Sequence, residues 1–312
     1  MTTPADKFLG KSFGEYQAFE RAGGGKSAPM YKARHRAKGH IVTLKLLPPE
    51  TSKSPDVVKR FYREVEVTTR LDHPNLIVAY ESGEQDGVHY LAMEYVSGTD
   101  LATLLEQKGR LDVEQAVDYI AQAAKGLAYL HENGVTHRNI KPRNLLVDGR
   151  GTLKIANLLL ARLEDGSVLA DGEMEDLTKT GTAMGSVDYL APEQASDAKT
   201  ADHRADQYSL GCTLYQLLTG QVLYPGKNMM QKVLQHRDAP IPSLRAARPE
   251  VPEEIDALFQ RMVAKQPEQR FPSMNDVLRI LQPQARPMLH IIFPIAAIVL
   301  FLLIVVILFV WK

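Results

Sequence analysis

The stretch His137-Arg138-Asn139-Ile140-Lys141-Pro142-Arg143-Asn144 marks a change of pattern in the chain. Its ionisable side chains are all basic, it carries amides at Asn139 and Asn144, and it contains no carboxylate. Just before it and everywhere after it, to about residue 281, apolar residues recur at helical spacing, over 113–133, 203–219, 252–264 and 273–281. Up to about residue 96 the chain reads mostly as strand instead. The runs IVTLKLL (41–47) and VHYLAMEYV (88–96) are short, apolar and bounded by Gly, Pro or charge. One helix interrupts them over 56–71, where Val57, Phe61, Val65 and Thr68 share a face. Residues 1–281 show no repeat and no low-complexity tract, and they are long for a single core, which predicts two lobes. The expected fold class is α+β, a small β-rich lobe followed by a larger helical one.

The glycines ahead of the first apolar strands can be read in two registers. GGGKS (23–27) suggests a phosphate loop of the strand–loop–helix kind. That pattern needs a glycine at the position of Glu20, and it needs a helix to open at Lys26-Ser27, where Pro29 follows instead. The second register, Gly23-x-Gly25-x-x-Ala28-x-Met30-Tyr31-Lys32, runs into the strand 41–47. A glycine hairpin lets backbone N–H groups approach phosphates, and Lys45 lies where a point charge can reach them.

In this order and spacing the sequence resembles a bacterial-type Ser/Thr protein kinase from about Tyr16 to Leu281. Lys45 matches the family's strand lysine, and Glu64 in Arg60-Phe61-Tyr62-Arg63-Glu64 matches the helix glutamate that pairs with it. Leu71-Asp72-His73-Pro74-Asn75-Leu76 matches the segment after that helix. Met93-Glu94-Tyr95-Val96 resembles the gatekeeper and the hinge. Ala191-Pro192-Glu193, Asp206-Gln207-Tyr208-Ser209-Leu210-Gly211 and Arg270 fit landmarks of the large lobe, and the resemblance implies a buried Glu193–Arg270 ion pair. It further implies a protein-kinase-like domain over 13–281 (lobes 13–96 and 97–281) behind a lead of residues 1–12. Nucleotide contacts are implied at Gly23, Gly25, Lys45, Glu64, Glu94, Val96 and Asn144.

Two positions depart from the family. Asn139 stands where the family has the aspartate that orients the substrate hydroxyl and accepts its proton. An amide oxygen accepts a hydrogen bond but has no useful basicity, and general-base catalysis is worth typically ~10²–10⁴-fold. Asn157-Leu158-Leu159 stands where the family has Asp-Phe-Gly, whose aspartate holds Mg²⁺ against the phosphates. A neutral amide removes a full charge beside a hard cation that prefers carboxylate, and Leu159 restricts the backbone flip a glycine allows. The third glycine is replaced by Ala28. Lys45, Glu64, Lys141 and Asn144 are retained. The chain is therefore read as a degenerate, pseudokinase-like member, with Asn139 and Lys141 in the catalytic loop and Asn144 and Asn157 as the depleted metal position. On one reading ATP still binds, chiefly on Lys45 and Lys141, with little call for Mg²⁺. On the other, the Lys45–Glu64 pair only clamps the helix to the sheet, and Asn144 only ties the loop together.

Between Leu163 and Leu177 the chain holds Glu164, Asp165, Asp171, Glu173, Glu175 and Asp176 and no base. Either this is a solvated loop, or one acid substitutes for a phosphate by pairing with Arg138. Thr178, Thr180 and Thr182 are candidate acceptors for another kinase. His137 resembles the family's structural histidine, and Cys212 lies in an apolar helical run as a small core residue.

Composition sets the remaining bounds. Lys and Arg (37) balance Asp and Glu (37), so no bulk positive field draws in nucleic acid, and the single cysteine excludes an internal disulfide framework. Residues 291–311 carry no formal charge and are rich in Ile, Val, Leu and Phe. About twenty such residues at ~1.5 Å rise reach roughly 30 Å, the thickness of a bilayer core. The expectation is a short linker (282–289) and one transmembrane helix (290–311). Arg279, Arg286 and His290 on the N-terminal side favour a cytoplasmic domain held by a tail anchor. The function expected from all this is a membrane-anchored scaffold or allosteric partner of other protein kinases or signalling proteins. A weak or atypical Ser/Thr kinase, or a nucleotide-sensing switch without turnover, are the alternatives.

Overall fold

The computed structural model describes residues 6–25, 28–158, 162–163, 187–197 and 201–282. Lys26, Ser27, Leu159, the acidic run with its threonines, the linker beyond Gln282 and the apolar stretch 291–311 lie outside the described residues. Among the described residues no helix is long and apolar enough to cross a membrane.

The small lobe is a six-stranded antiparallel sheet in the order β1-β2-β3-β4-β6-β5. Its strands are β1 (Ser12–Phe13), β2 (Tyr16–Gly24), β3 (Pro29–His35), β4 (Ile41–Leu47), β5 (Ala79–Gln85) and β6 (Val88–Glu94). The period-2 alternation of β4 decides its two faces. Val42, Leu44 and Leu46 join Tyr31, Ala33, Tyr90 and Ala92 in an outer core, whereas Leu47 packs with Phe61, Val65 and Leu91 beneath helix α1 (Pro55–Arg70). The stretch 6–12, set apart as a lead in the sequence, closes the outer face, with Phe8 buried in the same core. Pro29 opens β3, the position in a strand where a missing N–H costs least.

The large lobe is helical: α2 (Leu101–Lys108), α3 (Val113–Glu132), α4 (Pro192–Ser196), α5 (Arg204–Thr219), α6 (Met229–Asp238), α7 (Leu244–Ala247), α8 (Glu253–Met262) and α9 (Met274–Leu281). α5 is buried nearly all round and runs through the core, its polar Asp206 and Gln207 included, so these must find partners inside the lobe. Short strands lie on this bundle next to the cleft: β7 (Gly98–Asp100), β8 (Val135–Thr136), β9 (Leu145–Asp148) and β10 (Leu153–Ile155), with β11 (Arg162–Leu163) paired to β8. Gly126 on α3 permits the approach that fixes β10, because a Cβ there would stand 2.9 Å from Ile155 Cδ1 and 3.0 Å from Asn75 O. The lobes meet at that point. Ile155 N–H donates to Asn75 O (2.8 Å), Ile77 N–H donates to Ile155 O (3.0 Å), and Asn75 Nδ2 donates to Leu153 O (2.8 Å).

Candidate active site

Lys45 projects from β4 toward α1, where its Nζ lies 2.7 Å from both Glu64 carboxylate oxygens; the two residues are 6% and 3% exposed. The pair joins sheet and helix in the assembled arrangement. Sheet register then places the glycine turn: Lys45 is opposite Met30, and Met30 is opposite Gly23. Gly23 and Gly24 both adopt positive φ (139° and 74°). The sequence singled out Gly23 and Gly25, but the tightest demand falls on Gly24, where a Cβ would meet Ala28 O at 2.3 Å. At the hinge the Glu94 carboxylate pairs with Lys154 (2.8 Å) and its N–H donates to Val78 O (2.8 Å), while Val96 is half-buried. Both the carboxylate and the N–H of Glu94 are therefore already engaged within the protein.

The catalytic-loop stretch is built on one buried carboxylate. Asp206, on α5 and wholly buried, accepts from Arg138 N–H (2.7 Å), His137 N–H (2.9 Å) and His131 Nε2 (2.8 Å). Burial pushes its carboxyl up, yet the His131 and His137 contacts outweigh burial and hold it below the ordinary 3.8. These bonds fix Arg138 at φ 65°, a conformation few non-glycine residues adopt. His137 Nδ1 accepts from Asn139 N–H (3.2 Å), which leaves Nε2 to donate to Ala156 O (3.2 Å). One neutral imidazole thus joins the loop at Asn139 to the residue before Asn157. Asn144 Nδ2 donates to Asn139 O (2.7 Å), so the loop-tying role read for Asn144 is present in the structure. Lys141 is partly buried, and burial, then the Arg143 charge, lower its ammonium below the ordinary 10.5.

Asn157 is exposed and stands at φ 70°. Asparagine and aspartate are the non-glycine residues best suited to that region. An asparagine here is thus compatible with a backbone that an aspartate would adopt as readily, and it carries no charge. Below the cleft, Arg270 grips Glu193 with both ends of its guanidinium (2.6 and 2.8 Å), as the resemblance implied.

The model described as "Protein kinase domain" matches residues 16–280. The chain belongs to the protein kinase family. This kinase domain is 32% identical over 264 residues to serine/threonine-protein kinase PrkC of Bacillus subtilis, covering 85% of the chain and 39% of the relative. It is 36% identical over 277 residues to serine/threonine-protein kinase PknH of Mycobacterium tuberculosis (89% and 43%). It is 34% identical over 277 residues to serine/threonine-protein kinase PknE of Mycobacterium bovis (89% and 47%). The chain thus spans about two fifths to just under half the length of these curated relatives.

The kinase domain also predicts its own acid sensitivity. Burial holds His137 below the ordinary 6.5, and burial, then Lys265 and Lys232, push His236 down to about 3. As pH falls from 6.5, the unfolded chain takes up these protons and the folded one does not, so stability is present above 6.5 and lost below it. For His236 the expected slope is about 1.4 kcal/mol per pH unit between 6.5 and its folded value of about 3, and His137 adds to the loss in the same direction. Urea midpoints between pH 6.5 and 4.5 should fall accordingly, and His236→Gln should flatten the decline.

Proposed function

We propose that this kinase domain binds ATP in an assembled cleft but has lost most of its phosphoryl transfer, and that it acts as a scaffold or allosteric partner of other kinases or signalling proteins. The observation that carries this reading is the pair of amides, Asn139 and Asn157, set in a site whose Lys45–Glu64 pair is closed and whose loop backbone is in place. The residues suit a nucleotide: Lys45 and Lys141 supply charge, and the turn at Gly23–Gly24 can bring backbone N–H groups to phosphate. They do not suit Mg²⁺, because the donors at the metal position, Asn144 and Asn157, are neutral amides. When bound, ATP would bring the transferable phosphoryl group. Lys45 would neutralise phosphate charge, Lys141 would face the transferred end, and Asn139 would orient a hydroxyl without taking its proton.

A second reading, a weak or atypical Ser/Thr kinase, is favoured by the names of the relatives, all serine/threonine-protein kinases, and by the intact Lys45–Glu64 pair. We place the domain at the cytoplasmic face of a membrane, held by residues 291–311; the apolar composition of that stretch supports this.

The test is nucleotide binding by the full chain in detergent. ATP without Mg²⁺, at about ten times its Kd, should raise Tm by about 3–5 °C. Added Mg²⁺ should change that little, and Lys45→Ala should remove it. A shift that needs Mg²⁺ would count against the reading of Asn157. No shift at all would leave the scaffold role without a nucleotide.

A further inference from the structure

The outer face of the small-lobe sheet is closed by the chain's own N-terminal segment. Phe8 is 5% exposed and meets the rings of Phe13 and Tyr31 edge-on, with centroids 6.0 Å away. Gly10 N–H donates to Ala18 O (2.8 Å) and Ala18 N–H donates to Lys11 O (2.9 Å), so the segment is laced to β2. At its leading end the Asp6 carboxylate accepts from the Tyr31 hydroxyl (2.8 and 3.0 Å), Arg21 Nη1 (3.0 Å) and Phe8 N–H (3.1 Å).

The position of that carboxylate in the sheet matters. Arg21 and Tyr31 are opposite one another across β2 and β3, and the next pair along is Gly23–Met30, with Met30 in turn opposite Lys45. Asp6 therefore ties together the last side-chain rung before the glycine turn. The neighbouring side chain reaches elsewhere: Lys7 pairs with Glu50, in the loop leading into α1, and α1 carries Glu64. Two consecutive residues of one short segment thus contact the strand pair that leads into the glycine turn and the loop that leads into α1. The Lys7–Glu50 pair is exposed and weak, so the Asp6 contacts carry the effect.

We propose that residues 6–11 form a strap that orders the glycine turn through Asp6, Arg21 and Tyr31 and thereby sets the affinity of the cleft for nucleotide. This rests on the nucleotide-binding reading above. Asp6 is a positioning residue here, since it acts through β2 and β3.

The experiment uses the full chain in detergent with Mg²⁺-free ATP as probe. It compares wild type, Asp6→Ala and the milder Tyr31→Phe, which keeps the ring against Phe8. Kd is read by calorimetry, and amide exchange is read across residues 21–25 and 30–32. Losing a charge-assisted hydrogen bond should weaken ATP about five- to tenfold in Asp6→Ala and less in Tyr31→Phe. Exchange should quicken in those two segments, and in Asp6→Ala at Phe8, whose N–H loses its acceptor, with the large lobe unchanged, which a purely structural role would not produce. Unchanged exchange at 21–25, or faster exchange with unchanged Kd, overturns the strap. Absence of ATP binding in the wild type overturns it together with the nucleotide reading, and is told apart because it is present before any substitution.

Discussion

Asn139→Asp combined with Asn157→Asp is expected to raise Lys45-dependent phosphoryl transfer by about 10²-fold or more over wild type, the range that a positioned general base supplies. The reason is that the rest of the cleft is already assembled. Lys45 and Glu64 are in contact, Asp206 holds the loop by the N–H groups of His137 and Arg138, and Asn157 already has the left-handed backbone an aspartate would adopt. Asn139 keeps its N–H on His137 Nδ1 whichever side chain it bears. The single variants should differ in kind. Asn157→Asp alone should make ATP binding respond to Mg²⁺ without restoring the base, and Asn139→Asp alone should gain little, because the two groups work as a unit. Initial rates of radiolabel incorporation from ATP measure this. A double variant no faster than wild type would mean that the amides are not what limits the site.

Arg270→Ala is expected to cost about 3–5 kcal/mol, a large share of the 5–15 kcal/mol that holds a domain together. The Arg270 side chain is wholly buried. Besides both Glu193 oxygens it donates to Ala264 O (2.9 Å) and Arg204 O (2.9 Å), and its guanidinium lies 4.9 Å over the Tyr208 ring. Truncation strands a carboxylate and two carbonyls at once. Arg270→Lys should recover less than half of the loss, since an ammonium cannot reproduce the planar fork. The urea midpoint of the full chain reads the effect, and a loss under about 1 kcal/mol would contradict the account of this pair.

These two residues also show what a sequence can carry. Arg270, Glu193 and the helix α1 were legible, the two residues by resemblance in order and spacing, the helix by 3.6-residue periodicity. Glu64 falls three residues after Phe61 and four before Thr68, so periodicity places it on the buried face of α1, yet its charge argued for solvent; only its match to a motif gave the charge a reason to be there. Asp206 was legible as a landmark, while its work of holding three donors from elsewhere in the chain was not, because those partners lie about seventy residues away. Helix α2 had a readable start, Asp100 capping Ala102 and Thr103, but its eight residues were too few to show a period. The capping role of Asn228 on α6 was hidden by a largely polar helix. The positive φ at Arg138 left no mark, since neither a glycine nor an asparagine signals it there. Phe8 was passed over because a lone aromatic ahead of the first strand has no period to join.

The claim at the centre of this account is that the cleft holds nucleotide and transfers little of its phosphate. The most direct measurement is incorporation of label from γ-labelled ATP by the wild-type full chain with Mg²⁺, with Lys45→Ala as the blank. The account predicts incorporation close to the blank and about 10²-fold or more below that of the Asn139→Asp, Asn157→Asp double variant, in a preparation that unlabelled, Mg²⁺-free ATP still stabilises. Incorporation well above the blank and abolished by Lys45→Ala would contradict it and establish the chain as a working kinase.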